Sequence, residues 1–136
     1  MAFVLDCSVA LAWLLPDEGS EPADALADRL EQDSAHVPSI WPLEVGNALL
    51  VALRRGRISE GDVTRIAAAL AALPVEVDHD AGGAALREVL DLARKLRLTT
   101  YDAAYLELAK RRALPLATLD STLRRACAAS RVALLP

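Results

Sequence analysis

Four acidic residues stand where the sequence predicts strand ends or the first turns of helices. They are Asp6, Glu44, Asp102 and Asp120. Ligands of open parallel sheets bind at the carboxyl ends of the strands. Two bare carboxylates about 4 Å apart repel each other by roughly 4 kcal/mol at an effective dielectric constant of 20. We therefore expect a cluster of these side chains to take up protons or to hold a cation, and all-oxygen ligands favour Mg²⁺ or Mn²⁺.

Each acid taken singly also has a purely structural explanation. Asp6 and Asp120 precede predicted helices and could be N-caps. Glu44 lies in a first helical turn, where a negative charge interacts favourably with the helix dipole. Asp102 could complete a capping box with Thr99. Convergence of all four side chains at one place would favour the site over these separate roles.

Small polar residues lie close to the acids in the sequence. Ser8, Asn47 and Thr118 are each two or three residues from one of them, and Asn47 shares a helical face with its acid. These groups could orient carboxylates, bind water or contact a phosphate. Ser8 could equally cap its own helix.

The other potential metal ligands do not form a recognisable site. His36 and His79 are isolated in the sequence, and we assign neither to a metal. Cys7 and Cys127 are too few for a disulfide framework and lack metal-ligand spacing. We expect both cysteines to be small buried hydrophobic residues.

The elements that must position the acids alternate between short apolar strands and amphipathic helices. The predicted strands are AFVLD, HVP, VEV, LPLATLD and VALL. The predicted helices are SVALAWLL, Glu21–Asp33, a segment beginning at Pro42 and ended by Gly56, VTRIAAALAAL after the capping box SEGD, Ala84–Leu96, TTYDAAYLELA and STLRRACAA. There is no hairpin signal, internal repeat or linker. This order predicts one α/β domain over residues 1–136 with a central, mostly parallel sheet.

Composition limits the classes of function. The net charge is −4 and the pI about 5.1, which argues against a surface that is entirely a nucleic-acid footprint but not against a local basic patch. No apolar run reaches the length of a transmembrane helix. The N-terminus lacks the basic region of a signal peptide, so we expect a cytoplasmic protein with no membrane association.

Three segments carry a resemblance to a known family. FVLDCSVALAWLLPDE, PLEVGNAL and LTTYDAAYLELAKRRALPLATLDSTL together resemble the PIN-domain ribonucleases, and most closely the VapC toxins of bacterial VapBC toxin–antitoxin pairs. The likeness covers nearly the whole chain in the right order. It implies a three-layer α/β/α fold and a magnesium-dependent endoribonuclease site. The family's acids fall on Asp6, Glu44, Asp102 and Asp120, its small hydroxyl on Ser8 and its last threonine on Thr118.

The resemblance also implies a mechanism and partners. Cations held by the four acids would polarise an RNA phosphodiester and activate a water for in-line attack. It implies a homodimer and a hydrophobic groove that takes a segment of a small antitoxin. Trp13, Leu14, Leu15 and Trp41 are bulky enough for that groove, although a place in the core is their default role.

RNA contacts are less clearly indicated. The family often has a Lys or Arg two residues after its fourth acid, where this chain has Thr122. Arg124 and Arg125 are the better candidates, because the cations at Arg54–Arg57 and Lys110–Arg112 are largely explained by favourable positions at helix C-termini. With aromatic residues at only 4%, no stacking platform is expected.

Two other functions remain open from the residues. Phosphotransfer enzymes and receiver domains also have acids at strand ends. A phosphotransfer enzyme of the aspartyl-phosphatase type needs a second acid where this chain has Ser8, and a receiver domain needs adjacent acids and a late lysine near the site. A non-catalytic module could use its cation site for structure alone. The four complete acids argue against that alternative.

Overall fold

The computed structural model describes residues 1–79 and 82–136, and in them five strands form one sheet. The strands are β1 (Ala2–Leu5), β2 (Ser34–Pro38), β3 (Val75–Asp78), β4 (Leu116–Ala117) and β5 (Leu134–Leu135). Their order is β3-β2-β1-β4-β5, and every neighbouring pair is parallel. The predicted α/β class with a parallel central sheet is confirmed.

Seven helices in the described residues connect these strands. They are α1 (Cys7–Leu14), α2 (Glu21–Arg29), α3 (Trp41–Arg54), α4 (Glu60–Ala72), α5 (Gly83–Leu96), α6 (Thr100–Arg112) and α7 (Ser121–Ser130). Successive strands run from β1 outward to β3, then return to β4 and β5 on the other side of β1. Because crossovers between parallel strands are right-handed, α1–α4 cover one face and α5–α7 the other. The expected three layers result.

Several helix boundaries differ from the sequence prediction, those of α2 and α3 among them. α2 ends at Arg29, four residues before Asp33, whose carboxylate accepts a hydrogen bond from Arg29 Nε at 3.1 Å just before β2 begins. α3 begins at Trp41 and not at Pro42, which takes the second helical position. The apolar periodicity of the sequence continues past the last helical residue of α2, so it predicts a helix end that is too late.

The core consists of β1 and the helices packed on it. Phe3, Val4 and Leu5 are completely buried, and α6 crosses them with a face that includes Tyr105 and Leu106. A second cluster lies between α1, α3 and α4, and contains Leu15, Leu49, Ala52, Ile58 and Ile66. None of the helices in residues 1–79 and 82–136 combines the length and apolar character needed to cross a bilayer.

Candidate metal centre

The site lies where the order of strands reverses. The connections from β1 and β4 leave toward opposite edges of the sheet, which makes the gap between these strands a topological switch point. Leu5 pairs with Ala117, and the Asp6 N–H donates to the Ala117 carbonyl at 3.0 Å. β1 and β4 are therefore neighbouring strands, and the acids that follow them, Asp6 and Asp120, lie at the same end of the sheet.

Asp6 is held by two hydroxyls instead of capping a helix. It occupies the N-cap position of α1, but its side chain makes no capping hydrogen bond. Ser8 Oγ donates to Asp6 Oδ2 at 2.6 Å, and Thr118 Oγ1 donates to the same oxygen at 2.7 Å. Burial to 3% exposure raises the pKa of Asp6, and these hydroxyl bonds oppose that rise. The carboxylate is therefore oriented by hydroxyls from both strand ends.

The same hydroxyls bind the chain that follows β4. Thr118, which is fully buried, accepts the backbone N–H of Asp120 at 3.0 Å. Ser8 accepts the backbone N–H of Leu119 at 3.0 Å. Ser8 is thus a bridge between the two strand ends, and the alternative that it only caps α1 is not what the structure shows.

Asp120 has both a structural and an electrostatic role. Its Oδ1 accepts the backbone N–H of Thr122 at 3.2 Å and so caps α7. Its charge is also among the causes that raise the pKa of Asp6 and of Asp102. Capping therefore does not remove Asp120 from the acidic cluster.

Asp102 is half-buried in the first turn of α6. Thr99 Oγ1 accepts the Asp102 N–H at 3.1 Å, so Thr99 caps the helix. A reciprocal capping box, with both side chains bonded, forms in α4 between Ser59 and Asp62, whereas in α6 only the threonine half is present among the described residues. Burial raises the pKa of Asp102, and the charges of the other acids raise it further. The helix start therefore does not account for this carboxylate.

Glu44 is held by a residue that the sequence analysis did not identify. The hydroxyl of Tyr105, a fully buried residue of α6, donates to Glu44 Oε1 at 2.6 Å. Burial raises the pKa of Glu44, the tyrosine bond opposes the rise, and the charges of Asp6 and Asp102 add to it. The available signal was spacing: Tyr105 is three residues after Asp102 and so lies on the same side of α6.

The four acids form one electrostatic cluster with the donor set of a hard cation. Asp6, Glu44 and Asp102 each have a pKa raised partly by the charge of at least one other member, and Asp120 contributes to two of them. Among residues 1–79 and 82–136, no three His, Cys, Asp or Glu side chains are placed closely enough to share a metal ion. The fit to Mg²⁺ therefore depends on donor type, since every candidate ligand is a carboxylate oxygen.

A cleft of about 370 Å³ opens beside Glu44. Cys7, Leu43, Asn47 and Tyr101 are among the residues that line it. Asn47 is exposed there, one helical turn from Glu44, as its spacing indicated. Cys7 is only half-buried, so the prediction of a buried cysteine is confirmed for Cys127 and not for Cys7.

The arginines expected to contact RNA have different surroundings. Arg124 donates to the Thr118 carbonyl at 2.9 Å and to the Pro136 carbonyl at 3.5 Å, so it supports the loop that holds the site. Arg125 is exposed. Other cations form ion pairs: Arg57 binds Asp17 and Glu18, and Arg111 and Arg112 both bind Asp78.

An open parallel sheet with acids gathered at its switch point is the arrangement of a PIN-like α/β domain. A family model described as PIN domain matches residues 3–129, and the chain belongs to this family. It is homologous to the VapC ribonucleases. It is 30% identical over 123 residues to Ribonuclease VapC3 of Pyrobaculum aerophilum, and the alignment covers 90% of this chain and 92% of that protein.

Solved structures have the same fold. The crystal structure of PAE2754 from Pyrobaculum aerophilum superimposes with a TM-score of 0.69 at 26% identity, over 98% of this chain and 83% of that one. FitAcB from Neisseria gonorrhoeae gives a TM-score of 0.69 at 18% identity, over 100% and 97% of the two chains. VapBC2 from Rickettsia felis, bound to a DNA fragment, gives 0.67 at 11% identity, over 98% and 97%.

Proposed function

We propose that this chain is a magnesium-dependent endoribonuclease that acts as the toxin of a VapBC-type pair. The observation that carries the proposal is the cluster of Asp6, Glu44, Asp102 and Asp120, whose charges act on one another at the switch point of the sheet. The 30% identity to a VapC ribonuclease supports the reaction class.

The four acids would hold Mg²⁺, with Mn²⁺ as a substitute, and the ion when bound supplies Lewis-acid activation of the phosphodiester and of the attacking water. The chain supplies rigid carboxylates. Ser8 and Thr118 fix the direction of Asp6, and Tyr105 fixes that of Glu44. Preorganised ligands need no reorganisation when charge develops in the transition state.

No protein nucleophile is needed in this mechanism. The side chain of His36 lies 3.6 Å from that of Glu76, its register partner on the neighbouring strand β3. The hydroxyl of Ser8 is committed to Asp6, and it accepts a backbone N–H as well. We assign Ser8 and Thr118 to orienting Asp6. Asn47 would bind water or substrate in the cleft beside Glu44. Arg124 supports the loop that carries Asp120, and its guanidinium could also bind a phosphate there.

The PIN family match leaves the receiver or phosphotransfer alternative without support. The non-catalytic cation-binding module remains the alternative that an assay must distinguish. It predicts the same effect of Mg²⁺ on stability but no cleavage of RNA.

The proposal includes an antitoxin, a homodimer and a cytoplasmic location, where RNA and a co-expressed antitoxin meet. A toxin–antitoxin complex from Klebsiella pneumoniae has this fold, with a TM-score of 0.59 at 17% identity. Leu15 and Trp41 are buried in the core, so neither can form the antitoxin groove. Trp13 and Leu14 are only half-buried, and they remain the candidates.

Two measurements test the function. The purified protein should cleave RNA in Mg²⁺ or Mn²⁺ and lose that activity in EDTA. Expression alone should arrest growth, and co-expression of the protein encoded by an adjacent small reading frame should restore it. A soluble, abundant wild-type chain that cleaves no RNA and does not slow growth would favour the non-catalytic module.

A further inference from the structure

A groove lined by unpaired cations lies between the end of α5 and α7. Its lining residues are Lys95, Leu96, Arg97, Thr122, Arg125, Ala126 and Ala129. We propose that this groove binds the phosphate backbone of the RNA strand next to the cleaved bond. The assignment rests on the proposed ribonuclease function, and it adds to Arg125 two contacts, Lys95 and Arg97, that neither the motif spacing nor the comparisons assign.

The three cations of the groove are free to bind a ligand. Lys95, Arg97 and Arg125 are exposed. None of them forms a salt bridge or side-chain hydrogen bond within the described part of the chain, unlike Arg57, Arg65, Arg94 and Arg111. No acid of residues 1–79 or 82–136 lines the groove. On a chain with a net charge of −4, it is therefore a local positive surface facing outward.

Each wall of the groove is connected through the chain to one of the site acids. On one wall, Thr122 donates its backbone N–H to Asp120 Oδ1 at 3.2 Å. Arg125 lies on the same helix, about 7.5 Å along the axis from Asp120 at 1.5 Å per residue. On the other wall, Arg97 ends α5, and the chain then enters the first turn of α6, which carries Asp102.

Consecutive arginines of α7 have separate functions in this arrangement. Successive helical residues point about 100° apart. Arg124 is turned to the loop, where it binds the Thr118 carbonyl, and Arg125 is turned to the groove. The arginine contact expected after the fourth acid is thus supplied by Arg125, together with Lys95 and Arg97 at the C-terminal end of α5.

A nucleic-acid strand fits this surface better than an acidic protein segment. The groove leads to a cluster of carboxylates, which repels acidic side chains. A phosphodiester strand can cross both regions, because its phosphates can bind the cations directly and the carboxylates would hold the Mg²⁺ that offsets their repulsion. Arg97 and Arg125 can each bind a phosphate with two parallel hydrogen bonds.

The test removes the three charges and measures binding and cleavage. The groove variant is Lys95→Gln, Arg97→Gln and Arg125→Gln. A matched control variant removes three other exposed, unpaired cations: Arg54→Gln, Arg55→Gln and Arg131→Gln. Arg131 is the backbone counterpart of Arg97, since both end a helix in the left-handed conformation, with φ of 58° and 56°. Circular dichroism melting confirms that both variants fold.

Binding of a short labelled single-stranded RNA is measured by fluorescence anisotropy in EDTA, and cleavage in Mg²⁺. The groove variant should bind at least about tenfold more weakly, and its slope of log affinity against log salt should fall by about 2, since each phosphate contact contributes about 0.7. Its KM should rise while kcat changes little. The control variant should keep the wild-type affinity and slope.

Failure of this inference is separable from failure of the proposed function. If the wild type cleaves RNA and the groove variant matches it in affinity, KM and salt slope, the groove inference is wrong and the nuclease stands. If the wild type binds but never cleaves, a loss of binding only in the groove variant still supports the groove. If a labelled polyglutamate peptide binds the groove as tightly as RNA, the assignment to RNA is overturned.

Discussion

The hydroxyl of Tyr105 donates a hydrogen bond of 2.6 Å to Glu44, and so joins α6 to α3 at the acidic site. Tyr105 is three residues after Asp102, which places both on one side of α6. One helix therefore delivers an acid to the site and also orients an acid from a helix in the opposite layer. Burial of the whole Tyr105 ring fixes this relationship.

Replacement of Tyr105 by Phe should weaken metal binding without unfolding the protein. The ring keeps its packing, while Glu44 loses the bond that orients it. We expect about a tenfold rise in the Mg²⁺ concentration needed for half-maximal thermal stabilisation, equivalent to about 1.4 kcal/mol. Tyr101→Phe is the control, because it removes the hydroxyl of an α6 residue that lines the same cleft without removing the bond from Tyr105 to Glu44. Identical Mg²⁺ titrations for wild type and Tyr105→Phe would show that the bond has no part in positioning Glu44.

Burial of the acids, together with their mutual repulsion, should make stability depend on pH when metal is absent. Asp6, Glu44 and Asp102 have a pKa raised above the ordinary values of 3.8 and 4.5. The folded state then binds more protons than the unfolded state, so stability falls as pH rises above those values. Melting in EDTA should show this decline, and millimolar Mg²⁺ or Mn²⁺ at pH 7 should raise the melting temperature. No shift with either ion would mean that the cluster does not assemble.

Asp78 should stabilise the attachment of β3 to α6. Its side chain is 4% exposed and binds Arg111 at 2.6 Å and Arg112 at 2.8 Å, which lowers its pKa below 3.8. Asp78→Asn should cost about 2 kcal/mol at pH 7, less than for a fully buried pair because both arginines are partly exposed.

The pH dependence of the stability difference between wild type and Asp78→Asn tests whether the ion pairs cause it. A lowered pKa contributes stability above 3.8 that is lost as pH falls through the folded-state value. The gap between wild type and Asp78→Asn in urea unfolding should therefore close at acidic pH. Asp91→Asn, which breaks an exposed pair with Arg94, should change little at any pH. A gap that persists unchanged into strong acid would rule out the ion pairs as its cause.

Thr118 should be needed for its hydroxyl and not for its size. Its Oγ1 donates to Asp6 and accepts from the Asp120 backbone, in a fully buried position. Thr118→Val leaves the Asp120 N–H without its partner and leaves Asp6 Oδ2 with the Ser8 hydroxyl alone, and it should cost about 2 kcal/mol. Thr118→Ser, which keeps the hydroxyl, should recover most of the Mg²⁺-induced stabilisation. Equal losses in both variants, measured by thermal melting, would indicate a packing role instead.

Local rules predicted the parts of the site that depend on strand ends. Asp6 and Asp120 follow apolar strands, and because parallel strands end at one edge of a sheet, both acids were expected at that edge. The pairing of β1 with β4, which makes the two strand ends neighbours, is a finding of the structure. The capping box of Ser59 and Asp62 was also predictable, because both partners lie within one helical turn. Glu44 and Asp102 were candidates because each lies in the first turn of a predicted helix, and the family resemblance assigned all four acids to one site.

Contacts between distant segments were not predictable in this way. The hydrogen-bond partner of Glu44, Tyr105, lies 61 residues further along the chain. The periodic pattern of α6 indicates only that Tyr105 belongs to the apolar face of the helix. Lys95 and Arg97 end a helix, where cations are favourable without any ligand, so their sequence positions do not separate the two roles. Only the packing of α5 near α7 brings them to Arg125.

The central claim is that the four acids form a metal site for cleavage of RNA, and Asp102→Asn tests it most directly. Asparagine is tolerated near a helix start and removes one charge from the cluster, so the fold and the metal-free melting temperature should be kept. A neutral amide holds a divalent cation far less well than a carboxylate. Asp6→Asn, from a distant segment of the same site, should behave in the same way.

The measurement is thermal melting with and without Mg²⁺, alongside cleavage of a labelled RNA, for wild type and both variants. We expect both variants to fold, to lose the Mg²⁺-induced rise in melting temperature and to lose most ribonuclease activity. If Asp102→Asn cleaves RNA at the wild-type rate, or unfolds without metal, then Asp102 is a structural residue of α6 and the metal site assigned to it is wrong.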